Sequence, residues 1–141
     1  MCIRDSVTIS PVITSAIQVG NVQIDAGAQI TLSAANISVC KNWVGASGAN
    51  AVITGTGVVV FNGSIAQSIT GSTQMQELML SNTAGASLLS GSALDIYTAL
   101  DLASGNFDAS NGTLTFKSRT VDSVGIIDNF SSGYALSLIH I

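Results

Sequence analysis

Charge is scarce in this chain. Asp, Glu, Lys and Arg make up 9% of its 141 residues, against about 25% in an ordinary soluble domain. With four basic residues and a net charge of −4, it lacks the cationic footprint that nucleic acid demands. It also lacks the charge density of a disordered tail. Long apolar runs are missing too. Mean hydropathy is +0.53, yet runs such as GVVVF at 57–61 fall far short of the ~20 residues a spanning helix needs. There is one histidine, His140, and two cysteines, Cys2 and Cys40. No phosphate loop, nucleophile elbow or zinc-ligand spacing occurs, so no cofactor, metal or catalytic residue is expected.

The two ends, MCIRDS and LSLIHI, differ in composition from everything between them. Both hexapeptides can be encoded by opposite strands of one DNA element, ATGTGTATAAGAGACAG. That element resembles the transposase-end adapter of shotgun sequencing libraries. Residues 1–6 and 136–141 are therefore expected to be adapter-derived and to add nothing to the core, with 7–135 a fragment of a larger protein. His140 and Cys2 leave with the ends. What remains has Cys40 alone, three basic residues (Lys41, Lys117, Arg119) and seven acidic ones. Without a histidine to activate it, Cys40 is expected to be a small buried hydrophobe.

What is abundant is Gly, Ser, Thr, Asn, Ala and Val, arranged in short alternations. In 21–39 the apolar pairs Val22/Ile24, Ile30/Leu32 and Ile37/Val39 are separated by Asp25-Ala26-Gly27 and Ala35-Asn36. In 94–116 Leu94/Ile96, Leu100/Leu102, Phe107 and Leu114/Phe116 are separated by Ser104-Gly105 and Asn111-Gly112. Period-two patterning broken by turn formers reads as short, half-buried strands. Further strands are expected within 51–61, 66–70, 77–81 and 86–89, and no stretch sustains a helical period. The chain is all-β. Strand starts recur every six to ten residues, so three make a unit of roughly 20, within the range of solenoid repeats. That favours a right-handed parallel β-helix, with Ile24, Ile30, Val39, Val60, Leu80, Ile96, Leu102 and Leu114 facing inward. The alternative is an immunoglobulin-like β-sandwich, for which Asn62-Gly63 and Asn111-Gly112 would be hairpin turns.

One set of positions is more specific. The run 57–71, with Gly57, Val58, Val60, Phe61, Asn62, Gly63, Gln67, Ile69 and Gly71, has the form "G-x-V-x-F-N-G-x-x-x-Q-x-I-x-G". Leu78, Asn82, Gly85, Leu100, Leu102, Gly105, Leu114 and Phe116 continue it. This pattern, across most of 19–118, resembles the β-strand-repeat region of very large secreted bacterial surface proteins. That family is similar to adhesins and gliding-associated surface proteins, often exported by type IX secretion. The resemblance implies a secreted or cell-surface, non-enzymatic structural or adhesive segment. Its partners would be neighbouring repeats of the same chain, and surface glycans or other cells. It brings no catalytic motif.

The sharpest enzymatic alternative is a fragment of a carbohydrate-active β-helix enzyme, a glycoside hydrolase or polysaccharide lyase. Such chemistry needs two carboxylates ~5–9.5 Å apart, and Asp95, Asp101 and Asp108 are the candidates. Spacings of six and seven residues place them at successive corners or faces of one rung, so solvated surface acids are the expectation. Asp25, Asp122 and Asp128 could supply oxygen donors to calcium, but no calcium-loop pattern accompanies them and no metal site is expected. Trp43 and Tyr97 could stack on sugar, although core or edge packing is the simpler expectation. Asn36, Asn62, Asn111 and Asn129 each begin a glycosylation-type tripeptide and are expected to be turn residues. Lys117 and Arg119 follow the last clear strand, where they would guard its edge.

Overall fold

The computed structural model describes residues 3–5, 11–46, 51–117, 126–128 and 136–137. Every described element is a strand. In chain order they are β1 (Ile3–Asp5), β2 (Val12–Ile13), β3 (Ile17–Val19), β4 (Val22–Ile24), β5 (Gln29–Leu32) and β6 (Ile37–Val39). There follow β7 (Trp43–Val44), β8 (Ala51–Gly55), β9 (Val59–Phe61), β10 (Gln67–Thr70), β11 (Ser72–Ser81) and β12 (Ala86–Leu88). The last are β13 (Ala93–Ser104), β14 (Phe107–Asp108), β15 (Thr113–Phe116), β16 (Ile126–Asp128) and β17 (Leu136–Ser137).

All ladders between these strands are parallel. Face A is the seven-stranded sheet β1-β4-β7-β10-β12-β14-β17. Face B runs β2-β5-β8, then through the first halves of β11 and β13 to β15. Face C runs β3-β6-β9, then through the second halves of β11 and β13 to β16. The chain visits A, B and C in turn and then stacks on itself. Along face A the register steps from Ile3 to Val22 to Trp43 to Ile69 to Leu88. Most of these steps lie close to the roughly 20-residue unit expected from strand spacing. The result is a parallel β-solenoid. The Asn62-Gly63 and Asn111-Gly112 dipeptides turn corners between faces, and neither closes an antiparallel hairpin, so the sandwich is set aside.

The interior is built from columns of like side chains, because parallel in-register stacking puts equivalent residues above one another. On face C one column is Ile37, Val59, Leu78 and Leu100, and the next is Val39, Phe61, Leu80 and Leu102. All eight are at most 1% exposed. Of the eight residues expected inside, seven are buried. Val60 is the exception, and that expectation is corrected: it is half-buried on the outer surface. In a run of three valines parity is ambiguous, and Phe61, the largest apolar side chain there, sets the phase by taking the inner slot with Val59.

Backbone pairing continues at both ends. Ile3–Asp5 lies in register with Val22–Ile24, and Leu136–Ser137 with Phe107–Asp108. His140, Arg119 and Asp122 lie outside the described residues. No helix among the described residues is long and apolar enough to cross a membrane.

Candidate functional site

The three aspartates singled out from sequence stand on three different faces. Asp95 is on face B, in register with Gln74 and Thr115. Asp101 is on face C, in register with Met79 and Asp128. Asp108 is on face A, in register with Ser87 and Ser137. The walls of the solenoid separate them, so they form no mutual acid–base pair.

Each has its own surroundings. Asp95 meets Lys117 across one rung, with Oδ2 3.5 Å from Nζ; the lysine is 45% exposed, which leaves the pair a weak one. Asp108 accepts a hydrogen bond from the backbone N–H of Ser110 at 2.8 Å. The Ser110 side chain and that backbone bond hold the carboxyl below its usual range. Asp101 differs. Its Oδ1 is shut off from solvent and takes no hydrogen bond among the described residues.

A half-open cavity of about 230 Å³ lies at the corner between faces C and A. It is lined by residues that include Gln67, Thr83, Ser87, Asn106 and Asp108. Beneath it is a closed polar network. Gln67 is 2% exposed and Asn82 1%. Gln67 Nε2 donates to the carbonyls of Val39 and Lys41, while its Oε1 accepts from Gly63 N–H and Asn82 Nδ2. Asn82 also donates to the Ile65 and Gly85 carbonyls and accepts from Ala84 N–H. Gly105 completes this corner at φ +85°, and a Cβ there would lie 1.9 Å from the Asn82 carbonyl oxygen. Only glycine fits.

Asparagines do the same work at neighbouring corners. Asn21 Oδ1 accepts from Asn42 N–H at 3.1 Å, and Asn42 Oδ1 from Ser68 N–H at 3.0 Å. Asn36 Oδ1 accepts from Val58 N–H at 3.1 Å. Each side chain caps a backbone donor one rung away, where the turn has broken the strand ladder. Asn36 thus acts as the turn residue expected of it.

The aromatic pair does not form. Trp43 is fully buried, its indole N–H donating to Thr73 Oγ1 at 3.1 Å, whereas Tyr97 lies on the outer side of face B. Cys40 departs from expectation: it is only partly buried. Val39 occupies the inward slot, so the next residue turns out at the corner. There the thiol accepts from Gln18 Nε2 at 2.8 Å and donates to Asn62 Oδ1 at 3.7 Å. Among the described residues no three His, Cys, Asp or Glu side chains are grouped to hold a metal ion. The register of Asp101 on Asp128 was missed from sequence, because 26 intervening residues hide it and no local signal marks it.

The chain matches no protein-family model, no curated protein and no solved structure.

Proposed function

We propose that this chain is a non-enzymatic structural or adhesive segment of a large secreted or cell-surface bacterial protein. Its partners are then neighbouring rungs of the same chain, with surface glycans or other cells at its outer faces. One observation carries the reading: several motif positions of the resemblance serve rung-to-rung stacking. Gln67, Asn82 and Gly105 close one corner, and Phe61, Ile69, Leu78, Leu100 and Leu102 fill the interior. A motif whose residues face inward or cap backbone is a requirement of stacking, and chemistry is not needed to explain it. The test is to extend the gene in both directions from its source DNA. Further rungs of about 20 residues with the same corner residues, and an export signal, are expected. A parent carrying a catalytic domain around these rungs, or one retained in the cytoplasm, would overturn the reading.

A second reading is favoured by one specific feature. Asp101 and Asp128 are register partners on adjacent rungs, about 4.8 Å apart along the stack. Two acids at one register position on adjacent rungs suit a polysaccharide-cleaving β-helix better than a plain stalk. Reducing-sugar release from soluble polysaccharides by the chain, abolished in Asp101→Asn, would establish that reading. An inactive chain would leave the first in place.

A further inference from the structure

We propose that Asn111-Gly112 is a site of spontaneous covalent modification, where the asparagine amide is lost through a succinimide, and that the fold protects its twin, Asn62-Gly63. The chain holds two Asn-Gly pairs. Glycine has no Cβ to shield its nitrogen, so in an open chain both pairs would react alike. Both asparagines are exposed at corners of the solenoid, so access of water does not distinguish them. The groups that hold the two glycine nitrogens do.

Gly63 N–H donates at 2.9 Å to Gln67 Oε1, and Gln67 is 2% exposed. That oxygen also accepts from Asn82, while Gln67 Nε2 donates to the Val39 and Lys41 carbonyls of the preceding rung. Asn62 itself is tied, its Oδ1 accepting from the Cys40 thiol at 3.7 Å. Turning the Gly63 nitrogen onto the Asn62 side chain therefore breaks into a buried polar network. Asn111 has no such restraint. Its side chain makes no hydrogen bond among the described residues. Gly112 N–H is held by the Ala109 carbonyl at 3.2 Å, at the long end of the hydrogen-bond range. Opening that contact undoes a single turn. Asparagines that precede isoleucine or valine are shielded by the ladder: Ile37 N–H donates to the Val58 carbonyl at 3.0 Å and Val22 N–H to the Asn42 carbonyl at 3.1 Å.

The reaction needs no partner but water. The Gly112 nitrogen gives up its proton and bonds to Asn111 Cγ. The Cγ–Nδ2 bond breaks, and Nδ2 leaves as ammonia with that proton. Water then opens the succinimide ring at either carbonyl carbon. Addition at Cγ leaves aspartate; addition at the main-chain carbon leaves isoaspartate, with the main chain routed through Cγ. Nothing is oxidised or reduced. Isoaspartate lengthens the turn from which Thr113 N–H reaches the Ser92 carbonyl at 2.9 Å, so the modification bears on rung-to-rung pairing. The chemistry is independent of the function proposed above.

The experiment incubates the whole chain in warm, mildly alkaline water enriched in heavy oxygen, once folded and once in urea, and follows both sites by fragment-ion mass spectrometry. In the folded chain Asn111 should convert roughly tenfold or more faster than Asn62, because opening the buried network leaves polar groups unpaired. The oxygen label should enter at Asn111, with isoaspartate accompanying aspartate. In urea the two rates should converge. Gln67→Ala, which frees the Gly63 nitrogen, should raise the Asn62 rate and leave the Asn111 rate unchanged, with its urea midpoint confirming an intact fold. Equal rates in the folded chain, a faster Asn62, or an Asn111 that stays intact when folded while the urea sample reacts would overturn the proposal. So would a rate difference that persists in urea, since neighbouring residues and not the fold would then set it.

Discussion

The corner between faces B and C is built in two ways along the stack. In the rungs of β5–β6 and β8–β9 the strand stops, a turn intervenes and a second strand begins. In β11 and β13 the chain runs through as one strand of 10 or 12 residues. The inward columns do not register the change: Ile37 and Val59 from the turn rungs sit in line with Leu78 and Leu100 from the continuous ones. What differs is how the bend is accommodated. The turn rungs use positive backbone dihedrals, Ala34 at φ 54° and Gly55 at φ 93°. There the Leu32 carbonyl accepts from the N–H groups of Ala34, Thr56 and Gly57. The continuous rungs use a bulge. Met75 pairs with Ile96 and Glu77 with Ala99, so Gln76 faces both Tyr97 and Thr98, and an extra residue bends the strand. The interior column is the invariant, and the corner is whichever device reaches it.

The largest expected effect tests that contrast directly. Gly55→Ala would hold a side chain at φ 93° with its Cβ 2.0 Å from the Leu32 carbonyl oxygen. Backbone cannot yield as a side-chain tip can. A loss of about 3 kcal/mol or more is expected in urea denaturation. Thr98→Ala, at the exposed bulge of a continuous rung, should stay within ~0.5 kcal/mol. Equal losses at the two sites would show that the corners are not distinct devices.

Next in size is Asn82→Ala, at the corner leading back to face A. It strips partners from Gln67 Oε1, the Ile65 carbonyl and Ala84 N–H. A loss of about 2–3 kcal/mol is expected, since buried groups left unsatisfied cost ~1–3 kcal/mol. If the variant unfolds at the same urea concentration as the original, this network is not what locks the corner.

Asp101→Thr should act in the opposite direction. It removes a carboxylate whose Oδ1 is buried and takes no hydrogen bond among the described residues. A buried acceptor left unsatisfied costs ~1–3 kcal/mol, and Thr suits an outward strand slot. A gain of about 1 kcal/mol is expected. A loss would mean that the aspartate makes a stabilising contact, and would strengthen the enzymatic reading.

A smaller gain is expected from Ala34→Gly in the turn rung. Relief of a left-handed alanine, ~1–2 kcal/mol, is partly offset by the greater freedom of an unfolded glycine, ~0.5–1 kcal/mol. A net gain of roughly 0.5 kcal/mol should appear as a small rise in urea midpoint. No change or a loss would show that the turn rung tolerates Ala34 without strain.

These corners mark where the sequence could and could not be read. The all-β class, the solenoid and most inward positions follow from period-two alternation, because Val22/Ile24 or Leu100/Leu102 can share a face in only one phase. Val60 was misassigned because a uniform run of valines carries no phase. The strand through Ser72–Gln76 was missed because STQMQ presents polar residues on its outer side and Thr73, which serves the Trp43 indole, on its inner side. Thus only ELMLS had the look of a strand. Positive φ at Ala34 left no trace, since alanine is not a turn former. The separation of Asp95, Asp101 and Asp108 was legible from spacing. The Tyr97–Gln74 contact was not, because it depends on which rung lies beneath.

The smallest effect concerns two turns between faces A and B, one leading into β13 and the other into β15. They are alike in form: Ser92 N–H donates to the Leu89 carbonyl at 3.1 Å, and Gly112 N–H to the Ala109 carbonyl at 3.2 Å. Only the second is tied to a carboxylate, through Asp108 and Ser110. Hydrogen bonds from the Ser110 side chain and backbone to the charged form hold the Asp108 carboxyl below its ordinary value of 3.8, as they do for any carboxylate that accepts such bonds. A depressed folded value means the contribution to stability is fully present above the unfolded pKa. It is lost as pH falls through the folded one. The window therefore opens just under pH 3.8 and extends downward, and above it the turn is indifferent to pH. Amide hydrogen exchange reads this locally. Corrected for intrinsic rates, Ser110 protection should fall on acidification through that window while Ser92 protection holds, and Asp108→Asn should remove the pH dependence at Ser110. Parallel loss at both turns would assign the acid sensitivity to the whole rung, and a pH-independent Ser110 would show that the carboxylate does not tie this turn down.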